Sequence, residues 1–180
     1  MTTSNKIFIA TSLDGYIADE NGKIDWLHAL PNPTGDDMGY QSFMDEVDAL
    51  VMGRNTYETV LGFDMDWPYS KPVFVLSSSI TSVPEEIEDK IFIKKGDLNQ
   101  IMTEIHQAGF KNLYIDGGTT IQGFLEHDLI DEMIITTIPV LLGGGVSLFG
   151  QLDQQLAFTC VASKRFINAV AQNHYKRNRK

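Results

Sequence analysis

The sequence predicts an α/β fold built on a central, mostly parallel sheet, with an antiparallel hairpin at its C-terminal edge and helices on both faces. Three observations predict it. Through the first two thirds of the chain, short apolar runs bounded by turn residues alternate with amphipathic stretches, the pattern of strand–helix units. The last third carries apolar runs with no helix between them, which reads as antiparallel strands. The 180 residues are 43% hydrophobic and 21% charged, enough to bury a core in one domain spanning 1–180.

The elements follow in order. Residues 7–12 read as the first strand. The glycine-containing stretch 13–26 reads as a long loop of the kind that closes over active sites. Pro31, Pro33 and Gly35 then lead into a helix over 39–47. Strands at 49–52, 72–77, 90–93 and 113–116 and helices at 55–61, 98–108 and 119–126 complete the strand–helix region. Strands at 133–140, 156–163 and 169–175 finish the chain, the last two as the hairpin. Gly143-Gly144-Gly145 follows a strand but opens no helix, so it reads as a turn near the substrate or a partner subunit.

Composition narrows the function. A net charge of -10 and a pI of about 4.7 oppose binding to nucleic acid or to an anionic membrane, both of which recruit clustered Lys and Arg. The apolar run 7–10 is too short for a signal-peptide core or a membrane span. The lone Cys160 excludes an internal disulfide and a multi-cysteine metal site, and fits a reduced cytoplasmic setting. Within its apolar run it reads as a small buried core residue. His28, His106, His127 and His174 lack ligand spacing and read as surface or structural, so no metal site is expected. The basic residues 176–180 read as a solvated tail.

The chemistry gathers at strand ends, where open α/β sheets bind ligands. Asp116-Gly117-Gly118-Thr119-Thr120 joins a strand to a helix. Glycines let the backbone approach an oxyanion, and the free amides of a helix start carry partial positive charge, so the turn fits a phosphate cradle. Thr119 or Thr120 adds a hydroxyl or caps the helix. Gly53-Arg54-Asn55-Thr56 repeats the arrangement, with Asn55 or Thr56 as cap. Arg54 is a cation at a helix start, an unfavourable place that an anionic ligand would relieve. Leu76-Ser77-Ser78 adds hydroxyls suited to ribose or phosphate. Asp14, before Gly15, bonds turn amides or faces a substrate. Trp26 is a core anchor or a cover over the site.

These motifs, in this order, resemble the dihydrofolate reductase-like superfamily. The match is closest to the reductase domain of the bifunctional riboflavin-pathway deaminase-reductases. It is carried by Ser12-Leu13-Asp14-Gly15, Met52-Gly53-Arg54, Gly117-Gly118, Leu129-Ile130-Asp131-Glu132 and the segment from Ile138 to Gly145. The resemblance implies a three-layer fold, NADPH as cofactor, hydride transfer to a small molecule and pairing as a homodimer. It places Gly53 to Thr56 on the cofactor phosphates, and Ser77, Ser78 and Arg54 near the 2'-phosphate. Gly117 to Thr120 would hold the pyrophosphate, while Ala10 and Ile17 would flank the nicotinamide. Where the riboflavin branch often has a basic residue after Ser-Leu-Asp-Gly, this chain has Tyr16. Its one cysteine cannot complete the zinc signature of the deaminase domain.

Dihydrofolate reductases use a carboxylate to help protonate the pterin ring. Counting back from Met52-Gly53-Arg54 at their spacing reaches Asp37, which equally reads as a helix N-cap. Asp25 is the second candidate. Such an acid needs a pKa raised by a dry pocket. The sequence thus points to an NADPH-dependent reductase of a pteridine-like or ribosylaminouracil-like molecule. Dihydrofolate reduction and a non-catalytic NADPH-binding module are the alternatives.

Overall fold

The computed structural model describes residues 3–167 and 169–179. In chain order the strands are β1 (Ser4–Thr11), β2 (Tyr16–Ala18), β3 (Ala49–Gly53), β4 (Val73–Leu76) and β5 (Ile91–Lys94). They continue with β6 (Asn112–Asp116), β7 (Glu132–Thr137), β8 (Val146–Ser147), β9 (Phe158–Phe166) and β10 (Val170–Arg177). The helices are α1 (Tyr40–Glu46), α2 (Arg54–Leu61), α3 (Leu98–Gln107) and α4 (Gly118–Glu126). Eight strands form one sheet in the order β5-β4-β3-β6-β1-β7-β10-β9. The first six are parallel, and β10 and β9 run antiparallel at the edge.

Side chains alternate across a strand, so a central strand feeds two cores. On β3, Ala49 and Val51 pack with α3 and α4, while Leu50 and Met52 pack with α1 and Tyr57 of α2. Burial on both faces explains why Ala49 to Met52 is an unbroken apolar run. The result is a three-layer, dihydrofolate reductase-like arrangement. Because β3, β4, β5 and β6 are parallel, their C-terminal ends share one edge of the sheet.

Four differences from the sequence reading have physical causes. Residues 13–26 are not one open loop: β2 pairs with β8 in a separate two-stranded sheet, and Asp25–Ala29 forms a 3-10 turn. These elements are too short to show a period. Cys160 is exposed, because β9 is the outer strand of the sheet. The basic segment is held through Arg179: Arg177 pairs with both oxygens of Asp128, and Arg179 with Asp131. Lys180 lies outside the described residues. Neither α2 nor α4 has a side-chain cap, since each begins one residue before the expected start and caps on glycine.

Phe124 of α4 is fully buried between the helix and the sheet. Phe124→Ala should cost about 3–5 kcal/mol, read as a lower urea midpoint with an unchanged denaturant slope.

Candidate active site

The C-terminal edge of the parallel strands opens into a cleft of about 1040 Å³. Two of its walls are the starts of α2 and α4. Gly53 caps α2 and Gly117 caps α4, so the first-turn amides of both helices are left free by side chains. The two starts interlock. A Cβ on Gly53 would sit 2.8 Å from the Thr120 hydroxyl, and one on Gly117 would overlap the Thr56 hydroxyl. Gly117 also has φ +91°, a conformation that excludes most side chains. Each helix therefore places the threonine of its third position on the other's capping glycine.

The cleft gathers every residue expected to hold a cofactor: Ala10, Ile17, Gly53 to Thr56, Leu76 to Ser78, and Asp116 to Thr120. Arg54 is exposed, donates to Ser79 Oγ at 3.2 Å and lies 3.8 Å from Glu58. At the same end Lys94, Lys95 and Gly96 line the wall after β5. Lys94 is tied to Glu104 at 2.9 Å, whereas the exposed Lys95 has no partner among the described residues. The sequence reading missed these lysines. Its own strand-end rule, applied to residues 90–93, would have found them.

Asp37, Asp25, Asp14 and Trp26 do not reach the cleft wall. Asp37 accepts from the Gly39 and Gln41 amides at 2.9 Å each, at the start of α1. Those bonds lower its pKa, the opposite of what a proton donor needs. Asp25 is exposed in the 3-10 turn, which turns Leu27 rather than Trp26 to the cleft. Trp26 Nε1 is buried without a partner among the described residues.

Asp14 is a clasp. It accepts from Ser12 Oγ at 2.6 Å, Leu142 N at 3.1 Å and Gly143 N at 2.8 Å. The serine bond, then the two amides, hold its pKa down to about 2. The clasp ties the β1–β2 turn to the glycine loop before β8. The small sheet in turn lays Ile17 and Val146 on the start of α4: a Cβ on Gly118 would come 2.9 Å from Ile17 Cδ1.

The carboxylate that does sit in the cleft is Asp116. Its Oδ1 accepts from Gly117 N at 2.8 Å, yet burial outweighs that bond and raises its pKa to about 6. Tyr40, Tyr69 and Tyr114 surround it. Burial, and then the Asp116 charge, keeps their hydroxyls protonated, that of Tyr40 up to about 12. Tyr114 donates to the Phe8 carbonyl at 2.9 Å. Asp116 was expected only as part of the phosphate turn. Tyr40 and Tyr69 carry no local sequence signal, because only the folded sheet brings them beside β6. No group of three His, Cys, Asp or Glu side chains suited to a metal occurs among the described residues.

Known proteins share the family and the fold. The family model described as the RibD C-terminal domain matches residues 6–171. A crystal structure from Shewanella sp. PV-4, of a protein provisionally assigned to riboflavin biosynthesis, is 57% identical with a TM-score of 0.95, covering 98% of this chain and 99% of that one. The Thermotoga maritima diaminohydroxyphosphoribosylaminopyrimidine deaminase/5-amino-6-(5-phosphoribosylamino)uracil reductase shares the fold at 15% identity and a TM-score of 0.74. That match covers 98% of this chain and 57% of that one. Dihydrofolate reductase from Enterococcus faecalis, solved with NADP(H), shares it at 17% identity and a TM-score of 0.61, covering 98% and 97%.

Asp116 sets a dependence of stability on pH. The folded chain keeps this proton between pH 3.8 and about 6, where the unfolded chain releases it. Its contribution to stability therefore falls as pH rises through that window and stays lost above it. Asp116 is only partly buried by surface area and keeps some solvation through the cleft, so the effect is smaller than the full shift. Asp116→Asn should gain about 1–2 kcal/mol over wild type at pH 7.5 and nothing near pH 4, by urea unfolding at both.

Proposed function

Because the chain belongs to the RibD C-terminal domain family, we propose that it is an NADPH-dependent reductase. It passes a hydride to a pteridine-like or ribosylaminouracil-like small molecule. The observation that carries this reading is the pair of glycine-capped helix starts opening on one cleft, with Arg54 and Lys95 at one end of it. Two adjacent sets of free amides suit the linked phosphates of a dinucleotide. Ser77 and Ser78 beside Arg54 and Lys95 suit the extra phosphate that separates NADPH from NADH.

The nicotinamide cofactor would supply the hydride. The chain's own part is binding, alignment and exclusion of water. Gly53, Gly117 and Gly118 keep side chains out of the phosphate path. Ile17 and Val146, held by the Asp14 clasp, close the small sheet over the start of α4. Ala10 and Ile17 give that region an apolar wall. A cytoplasmic, homodimeric enzyme belongs to the same reading; the exposed free thiol of Cys160 supports a reducing compartment.

Arg54→Ala and Lys95→Ala should each weaken NADPH about tenfold and NADH less than twofold, the scale of one charge-assisted contact to phosphate. Fluorescence titration with both cofactors checks this, and equal losses would remove the phosphate role. Oxidation of NADPH in the presence of a riboflavin-pathway aminouracil or of dihydrofolate tests the reaction itself. Tight NADPH binding with turnover of neither would leave a binding module.

A further inference from the structure

The charge of the cleft is divided between its two ends. From that division we infer that the hydride acceptor is a flat, uncharged nitrogen heterocycle with N–H donors and no phosphate, held against Asp116, Tyr40 and Tyr69. This rests on the reductase reading above.

The cations on the cleft wall are Arg54, Lys94 and Lys95. All three lie at the ends of β3 and β5. The register pairs Gly53 with Leu76 and Leu76 with Lys94, while Asp116 pairs with Met52 on the other side of β3. Lys94 is thus three strand spacings from Asp116, about 14 Å at the usual separation of neighbouring strands. Arg54, although it follows the strand next to β6, is directed away from Asp116 to Ser79 Oγ beyond β4 and to Glu58.

Beside Asp116 the cleft wall is made of Tyr40 and Tyr69, whose hydroxyls feel its charge, and of Phe8, which packs against Tyr40. Among the described residues this part of the wall carries no cation. Lys23, between Gly22 and Ile24, is exposed and off the wall. Lys71 is taken up by the carbonyls of Met44 and Val47. The loop that carries Phe63 and Tyr69 also carries the exposed Asp64 and Asp66. A phosphate here would meet no basic side chain and would face Asp116. Phosphate sites need Lys, Arg or a helix start, and on the reading above both helix starts are committed to the cofactor.

What this end does offer is unmet hydrogen bonding between flat rings. Asp116 Oδ1 takes the Gly117 amide, which leaves Oδ2 for a donor from outside. The hydroxyls of Tyr40 and Tyr69 have no hydrogen-bond partner among the described residues. Phe8 and Tyr40 meet edge to face at 5.6 Å, and Trp67 braces Tyr69 at 5.3 Å. A partly desolvated carboxylate with only one donor is costly, so a ligand bringing N–H groups is favoured over one bringing only acceptors. The aromatic walls favour a planar body.

The test titrates three probes into the full chain saturated with NADPH: pterin, 5-amino-6-ribosylaminouracil and the 5'-phosphate of the latter. Calorimetry should show the two phosphate-free probes binding at least tenfold more tightly than the phosphate. In the same NADPH-saturated state, Asp116→Asn should weaken the phosphate-free probes at least tenfold, since it keeps the acceptor for Gly117 and removes the charge. Equal or tighter binding of the phosphate, binding of none of the three, or an unchanged affinity in Asp116→Asn overturns the inference. The wild-type comparison stands without the variant. Failure of wild type to take up NADPH would instead bring down the reductase reading, and the inference with it.

Discussion

Thr56 rests on Gly117 and Thr120 rests on Gly53, and the cleft depends on this reciprocal contact. Its origin is the parallel pairing of β3 with β6. Met52 is registered with Asp116, so the next residue on each strand is a glycine, and the two glycines lie side by side. Parallel strands send both chains in the same direction, so α2 and α4 begin at the same edge. With no side chain on either glycine, the helices approach until each threonine meets the neighbouring turn. One contact thus sets the separation of two helix starts and points both sets of free amides into the same space. A larger residue at either glycine would run into the facing threonine, and at Gly117 it would also have to adopt a positive φ.

The same edge holds a group that works against the fold. Asp116 stands at the end of an apolar strand, and its one internal bond does not compensate for lost solvation. A carboxylate kept at that expense is more readily explained by a ligand than by packing. Its neighbours are tyrosines, whose hydroxyls can serve a ligand as donors or acceptors without adding charge. By contrast Asp14, with three donors and an exposed position, is comfortable, and its work is to hold two loops together.

The eight long strands and four helices were legible because their signals are local. Ala49 to Met52 is apolar throughout because both its faces are covered, and Gly117-Gly118 marks a strand-to-helix turn whatever surrounds it. What was not legible depends on which strands are neighbours. Cys160 sits in an apolar run and is exposed only because β9 is an edge. Asp37 and Asp116 are both acids beside a helix start. One is quenched by two amides in solvent and the other is raised by burial, and the spacing of either in the chain says nothing about this. Tyr40 opens α1 and Tyr69 lies in the α2–β4 loop, so their meeting at β6 is a product of the sheet order.

The order of strands also gives the cleft a direction. An acidic chain of net charge -10 places its cleft cations on β3 and β5, and its cleft carboxylate on β6. Lys94, about 14 Å from Asp116 at the usual strand spacing, lies beyond the Debye length of about 8 Å at physiological salt, so those two charges act separately. Arg54 starts one strand from Asp116 but reaches away from it, to Ser79 beyond β4. A ligand with an anionic tail and a neutral planar head gains in one orientation only. Reversed, it would set its phosphates against Asp116 and leave Lys95 unpaired. Orientation is therefore fixed by charge over the length of the sheet, before any close contact selects the head group.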